Sequence, residues 1–329
     1  MSYSIGSFNL YKFSGQHDQE IAKDVRLLAE IIRSEKFDVI ALQEMQATDQ
    51  PKDVITNRRL LMALGSDWDM VGAASDSPKY HSYSEGYAFI WNKKRLHLVD
   101  DSDGRIFDDF GMKNKLVRPP LFARFTPEGL PGESFFELRL INVHVAFGKP
   151  TDSMVISDVD YRRKELEILS KEVYPRIADK RYGNNMPAYT ILMGDYNLCI
   201  SGNYKIRPWD TSATEGFVDI PITSDRFLRT MQAEKTTLKR ESAVNASASR
   251  SRDMDAEGDA TELFDQRTNE YYSQDYDHFS IDTDTLSKIG VSVSKVDALA
   301  RYYQNRLSDY RREISDHVPI KMTIDLRTR

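Results

Sequence analysis

The chain has 329 residues, of which 40% are hydrophobic and 29% charged. That balance supplies a large apolar core and excludes a fibre, a coiled coil or a wholly disordered chain. The formal net charge of −6 excludes a globally basic nucleic-acid-binding surface. It still allows a local site in which carboxylates hold metal and a few cations hold phosphate.

In chain order, residues 3–10 read as a strand. Residues 21–32 place Ile21, Val25, Leu28 and Ile32 at helical spacing. Residues 37–42 form a short apolar run, read as a buried strand, and 53–64 read as a second helix. Strand patterns follow at 68–73, 86–91, 96–100, 121–125 and 135–145, with Trp91-Asn92-Lys93-Lys94-Arg95 as a hairpin-like turn. Residues 161–178 read as a helix with a long polar face, and 189–193 as a buried strand. Late strands are expected at 276–281 and 318–326, with a helix at 299–307. Residues 239–262 are rich in Ala, Ser and Asp and nearly devoid of bulky apolar side chains, the pattern of a flexible insertion in which Arg250 and Arg252 are solvated. No internal repeat is visible. Strands outnumber helices, which suits two packed sheets flanked by helices within a single domain spanning 1–329.

Cys199 is the single cysteine, so no intramolecular disulfide forms, and without a surrounding motif the thiol reads as incidental. The opening residues 1–6 carry neither a basic nor an apolar leader pattern. No apolar run approaches the roughly 18 residues needed to span a bilayer. Together these features lead to the expectation of a cytoplasmic protein with no membrane partner.

Five segments share one design, an apolar strand ending in a polar residue. They are Ser7-Phe8-Asn9-Leu10, Ile40-Ala41-Leu42-Gln43-Glu44, Ile141-Asn142-Val143-His144, Ile191-Leu192-Met193-Gly194-Asp195-Tyr196-Asn197 and Ile314-Ser315-Asp316-His317-Val318. A packed strand fixes the backbone behind its last side chain, so five such strands can deliver Asn, Glu, His and Asp to one cleft. Those groups suit a hard, oxygen-ligated divalent cation beside imidazoles. Taken singly, each polar end is a turn residue or helix cap; the set carries the functional reading.

The set, in this order, resembles the endonuclease/exonuclease/phosphatase superfamily, over nearly the whole chain from Asn9 to His317. The resemblance implies a four-layer α/β sandwich: two packed mixed, mainly antiparallel sheets flanked by helices, with the site at one end. It implies a Mg²⁺ site, open to Mn²⁺ as a substitute, on Glu44 with Asn9 and Asp316. Asp195 and Asn197 would surround the attacked phosphate, and Asp316 and His317 would close the site. Within the superfamily, deoxyribonuclease I is similar at three further segments. Tyr83-Ser84-Glu85-Gly86-Tyr87 resembles the segment whose Glu orients the first catalytic imidazole, here His144. Arg118-Pro119-Pro120-Leu121 resembles the phosphate-contacting segment, and Tyr276-Asp277-His278 the one whose Asp orients the last imidazole, here His317. Two carboxylate–imidazole dyads follow, Glu85 with His144 and Asp277 with His317, as hydrolysis needs one proton removed and one donated.

One departure bears on substrate. Gln46 stands where deoxyribonuclease I carries its minor-groove arginine, although Tyr83 remains. The leading expectation is a DNA endonuclease with a nucleic-acid substrate. The rivals are a phosphoesterase of the same fold acting on RNA, a nucleic-acid end adduct or an inositol or lipid phosphoester, and a catalytically inactive binding module.

Overall fold

A strand buried on both faces needs a layer on each side of its sheet, and the central strands of this protein are of that kind. In the computed structural model the described residues are 1–13, 23–46, 48–75, 85–99, 105–106, 116–129, 136–146, 158–181, 186–199, 219–231, 234–239 and 271–326. In chain order they form β1 (Ser2–Asn9), α1 (Val25–Ser34), β2 (Val39–Met45), α2 (Ile55–Leu64), β3 (Trp68–Ser75), β4 (Glu85–Asn92), β5 (Leu96–Leu98), β6 (Arg105–Ile106), β7 (Leu121–Pro127) and β8 (Glu137–His144). There follow α3 (Asp158–Ile168), a π-helical turn (Leu169–Val173), α4 (Tyr174–Ala178), β9 (Ala188–Asp195), β10 (Asp219–Pro221), β11 (Phe227–Met231), β12 (Thr237–Leu238), β13 (Tyr272–Gln274) and β14 (Asp277–Asp282). The chain closes with α5 (Thr283–Leu286), β15 (Gly290–Lys295), α6 (Ala298–Tyr303), α7 (Leu307–Glu313) and β16 (Ile320–Asp325).

Among the described residues, one sheet runs β15-β16-β1-β2-β4-β3 and the other β10-β11-β14-β9-β8-β7-β5, with β6 added against β7. Most neighbours are antiparallel. The two parallel pairs, β1 with β2 and β8 with β9, are those whose crossovers contain α1 and α3–α4. Three apolar clusters show the layering. Ile5, Val39, Ala41 and Phe89 of the first sheet meet Phe125, Leu140, Ile191 and Phe279 of the second. Behind the first sheet, Phe8, Ile40, Leu42 and Ile90 pack on Leu28, Ile31 and Ile32 of α1 and Leu299 of α6. Behind the second, Ile141, Val143 and Leu192 pack on Leu166, Leu169, Val173, Tyr174 and Ile177. The architecture is therefore the expected four-layer sandwich.

Two expectations change. The helix expected at 299–307 is two short helices. Gln304 takes a left-handed conformation (φ 48°) that ends α6, and α7 starts afresh at Leu307. Tyr303 and Tyr310 then meet edge-on, ring centroids 5.2 Å apart, and pack the two helices together. The strand expected at 96–100 forms over Leu96–Leu98, with Val99 N–H still donating to the Arg124 carbonyl at 2.9 Å, and residue 100 lies outside the described residues. Past Lys239, the insertion expected at 239–262 lies outside the described residues. No described helix is long and apolar enough to cross a membrane.

The inter-sheet face explains where a site can form. Along β1 that face reads Ile5, Ser7, Asn9; along β8, Leu140, Asn142, His144; along β9, Ile191, Met193, Asp195. The antiparallel strands mirror this: β4 begins with Glu85 before Tyr87 and Phe89, and β14 begins with Asp277 before Phe279 and Ile281. Side chains alternate with period two, so each strand is apolar along most of the sandwich and polar at the same end. Between core and polar end lies a buried amide pair. Gln43 Nε2 donates to Asn142 Oδ1 at 2.7 Å, and Asn142 Nδ2 donates to the Leu42 carbonyl at 3.0 Å.

Candidate active site

Strand register sets the central triplet. His144 is paired with Asp195 across β8 and β9, and Asp277 with Asp195 across β14 and β9. Asp195 is thus flanked on both sides within one sheet. The approach of β9 to β8 depends on Gly194. Its φ is +145°, and a Cβ there would lie 1.9 Å from the Val143 carbonyl oxygen, so only glycine fits.

Glu44 reaches the site through a β-bulge. Leu42 pairs with Ala88 and Met45 with Gly86, so two residues of β2 oppose one of β4, and Glu44 takes a left-handed φ of 56°. Asn197 is the second left-handed residue at the site (φ 49°). Such conformations in residues other than glycine are costly and persist where the surroundings enforce them. For Asn197 those are Val145 O, which accepts from Nδ2 at 2.8 Å, and Asp195 Oδ1, which accepts from its backbone N–H at 2.8 Å.

Ten of the eleven candidate residues form one chain of contacts no longer than 4.0 Å. Asn9 Nδ2 donates to Glu44 Oε1 (3.1 Å) and to Asp195 Oδ2 (3.0 Å). The Nε2 atoms of His144 and His317 each lie 3.7 Å from that same Asp195 oxygen. His144 Nδ1 meets Glu85 Oε1 at 2.7 Å, and Glu85 Oε2 faces Arg118 Nε at 3.2 Å. His317 Nδ1 meets Asp277 Oδ2 at 2.8 Å, and Asp316 Oδ1 lies 4.0 Å from His317 Nε2. Asn197 joins through Asp195. Tyr83, the eleventh, lies outside the described residues.

A carboxylate against Nδ1 fixes the tautomer. Nδ1 carries the proton, so Nε2 faces Asp195 as an acceptor when the ring is neutral and as a donor when it is charged. Burial pushes both imidazoles down, but the carboxylates outweigh it. His144 is raised from the ordinary 6.5 by Glu85 and Asp195 against the opposing charge of Arg118. His317, facing Asp277, Asp195 and Asp316, is raised to about 10. Burial lifts the Asp195 carboxyl above its usual range although both imidazoles pull it down. For Glu85, burial is outweighed by Arg118 and His144, and its carboxyl is held low.

The donors for a metal are oxygens. Glu44 and Asn9 touch through their side chains, and Asp316 Oδ1 is buried with no hydrogen-bond partner among the described residues, while its Oδ2 accepts from Arg311 Nη2 at 3.4 Å. That orphaned carboxylate oxygen, in a site where Lys23 feels the charge of both Asp316 and Glu44, fits a divalent cation. Asp195, Asp277 and His317 also bring ligand atoms within 4.8 Å of one another, and Asp277 Oδ1 is likewise without a partner. In that trio the His317–Asp277 hydrogen bond already occupies the facing atoms, which suits proton transfer better than ligation.

Sequence reasoning passed over several groups. Lys23 donates from Nζ to the Ile314 carbonyl at 2.8 Å, and burial lowers its ammonium to about 8 against the pull of Asp316 and Glu44. Thr236 Oγ1 donates to Asp277 Oδ2 at 2.5 Å, and Leu238 N–H to the Asp316 carbonyl at 2.7 Å, which clamps the segment bearing Asp316 and His317. His278 had no expected role. Its Nε2 lies 3.0 Å from the Leu198 carbonyl, and it secures the chain just after Asn197. Ser315 Oγ bridges β1 to this end, donating to the Asn9 carbonyl at 2.6 Å and accepting from His317 N–H. Apart from the local Ser315–His317 bond, each of these partners is distant in sequence, so no pattern along the chain marks them.

The family model of the endonuclease/exonuclease/phosphatase family matches residues 6–228, and the chain belongs to that family, whose members are metal-dependent phosphoesterases and nucleases. It is a hydrolase of that class. Solved structures share its fold at low identity. One is the Danio rerio TDP2 complexed with a single-strand DNA product, 15% identical, TM-score 0.52, covering 98% of this chain and 99% of that one. ANGEL2, a 2′,3′-cyclic phosphatase, is 12% identical with TM-score 0.55 and covers 100% and 96%. A Bacteroides thetaiotaomicron mannosyl-6-phosphatase is 14% identical with TM-score 0.51 and covers 98% and 99%. No curated protein matches the chain at the sequence level.

Proposed function

We propose that the protein is a Mg²⁺-dependent endonuclease that hydrolyses DNA phosphodiester bonds. The observation that carries the reading is the placement of two carboxylate-held imidazoles at 3.7 Å from one oxygen of Asp195. A buried carboxylate between two proton carriers suits in-line attack of water on a phosphoester. Arg118 beside the Glu85–His144 dyad, the segments that resemble deoxyribonuclease I, and a same-fold relative bound to single-strand DNA product favour a nucleic-acid substrate.

Glu44, Asn9 and Asp316 are the residues that would hold the cation. When bound, the cation supplies positive charge to a non-bridging phosphate oxygen and lowers the cost of charge on the leaving oxygen. Asp195, raised by burial, is a better base than an ordinary carboxylate and takes the proton of the attacking water. The Asn197 backbone fixes the Asp195 rotamer through Oδ1. His317, held as imidazolium, donates from Nε2 to the leaving oxygen. His144 and Arg118 give donors to the phosphoryl oxygens as negative charge develops.

Purified protein is incubated with supercoiled plasmid and Mg²⁺, with and without EDTA, beside the His317→Ala variant. Metal-dependent nicking that disappears in the variant supports the endonuclease. No nicking with Mg²⁺ or Mn²⁺ overturns the DNA assignment and redirects the search to RNA, sugar-phosphate and lipid phosphoesters.

A further inference from the structure

Among the buried carboxylates that the mechanism leaves unused, Glu165 alone is seen to bond the backbone next to both Arg118 and His144 among the described residues. Glu165 lies on α3, behind the second sheet, and is almost fully buried. Its two oxygens face two different segments of the site. Oε1 accepts from the Val117 N–H at 2.6 Å, and Oε2 accepts from the Ala146 N–H at 3.0 Å. Val117 immediately precedes Arg118. Ala146 lies two residues beyond His144 and one beyond Val145, whose N–H makes the last bond of this segment to β9, at the Asp195 carbonyl (2.9 Å).

These two segments converge. Arg118 Nη1 donates to the His144 carbonyl at 3.5 Å, and Arg118 Nε faces Glu85 at 3.2 Å. Three residues earlier on α3, one helical turn away on the same face, Arg162 Nη1 donates to the Asn197 carbonyl at 2.7 Å. The polar pair of one helix therefore grips the backbones that carry Arg118, His144 and Asn197. A backbone N–H next to the residue to be aimed is an effective handle, because it fixes the Cα from which the side chain departs. A buried carboxylate that spends both oxygens on backbone donors also resists removal, since each donor would be left unsatisfied.

The geometry points to Glu165 as a positioning residue: from α3 it sets the Arg118 guanidinium against Glu85 and His144, and so governs engagement of the substrate phosphate without touching it. This inference rests on the phosphoester-hydrolase reading of the site and adds a residue outside the cleft to it. A positional error of about 1 Å at such a group costs on the order of 10²-fold in rate.

The test is a double-mutant cycle with bis(4-nitrophenyl) phosphate as probe and Mg²⁺ or Mn²⁺ present. Glu165→Ala is expected to reproduce the kcat and KM changes of Arg118→Ala, and the double variant to be no worse than Arg118→Ala alone. Leu166→Ala, its fully buried neighbour on the same helix, is the structural control. It should lower Tm yet combine additively with Arg118→Ala. Glu165→Gln keeps one acceptor, serves if the alanine variant does not fold, and should be intermediate. Calorimetric titration of Mg²⁺-loaded protein with inorganic phosphate gives a second readout that needs no turnover. Glu165→Ala and Arg118→Ala should weaken phosphate to the same extent, without further loss in combination. Additive losses in both readouts, or unchanged phosphate affinity in Glu165→Ala, would overturn the positioning role. A wild type silent toward every phosphoester would sink the hydrolase reading alone, because the phosphate titration still decides the role of Glu165.

Discussion

His144 and His317 place their Nε2 atoms at the same distance, 3.7 Å, from one oxygen of Asp195, although they arrive from different sheets' ends and 173 residues apart (317 minus 144). Each is held from behind by its own carboxylate, so the arrangement is symmetric about Asp195. The surrounding charges are not symmetric. Arg118 opposes protonation of His144, while Asp316 adds to Asp195 and Asp277 around His317.

That asymmetry separates the two imidazoles in the laboratory. Asp195→Asn should abolish hydrolysis, and His144→Ala and His317→Ala should each lower kcat by about 10²–10⁴-fold. The His317 loss should shrink with a substrate whose leaving group needs no proton, such as 4-nitrophenolate, while the His144 loss persists. Steady-state kinetics with two leaving groups measures this; equal dependence of both variants on leaving group would overturn the assignment.

Asp277→Asn tests the second dyad through pH. His317 is raised above its ordinary 6.5 to about 10, so the proton it holds in the folded state stabilises the fold fully below pH 6.5, and that stability is lost as pH rises toward 10. Metal-free wild type should therefore lose Tm across pH 6.5 to 10 relative to His317→Gln. In Asp277→Asn the fall should be smaller and end nearer pH 6.5, because the chief charge raising His317 is gone. Parallel Tm profiles for wild type and His317→Gln across this window would show that His317 does not carry the proton.

The layers and the site ends were legible because burial on the inter-sheet face has period two, and the apolar run stops where the polar residue stands. Asn9, His144 and Asp195 announce themselves in this way, whereas Glu44 reaches the same end only through the bulge in β2. Glu165, Thr236 and Lys23 do not, because their partners are backbone groups or distant carboxylates that follow no local period. The edge strand β15, Gly-Val-Ser-Val-Ser-Lys, buries too little to stand out as a strand, and register against β16 alone defines it. The split between α6 and α7 was hidden for another reason. The left-handed turn at Gln304 and Asn305 uses residues other than glycine, so the usual punctuation is missing.

Gly194→Ala should be severely destabilising without changing any polar group at the site. Both the positive φ and the 1.9 Å approach of the new Cβ to the Val143 carbonyl oppose it, and β8 cannot retreat without moving His144 away from Asp195. A loss of roughly 3 kcal/mol or more is expected from strain and overpacking together. Chemical denaturation measures it. A near-neutral result would mean that the two strands separate readily at this end, and that their register does not fix the spacing of His144 and Asp195.

Metal removal tests the proposed cation site. A cation held by Glu44, Asn9 and Asp316 binds the folded state alone, so Mg²⁺ at 100 times its Kd should add about 2.7 kcal/mol, seen as a rise in Tm that EDTA reverses. Glu44→Gln keeps the shape and can still accept from Asn9, but it removes the charge. It should abolish both the Mg²⁺-dependent rise in Tm and hydrolysis, while the metal-free Tm stays close to that of wild type. Asp277→Asn should retain the Mg²⁺ effect, because its carboxylate serves His317. If instead Asp277→Asn removes the Mg²⁺ effect and Glu44→Gln keeps it, the ion sits within the Asp195–Asp277–His317 trio, and His317 serves as a ligand where a proton donor is proposed.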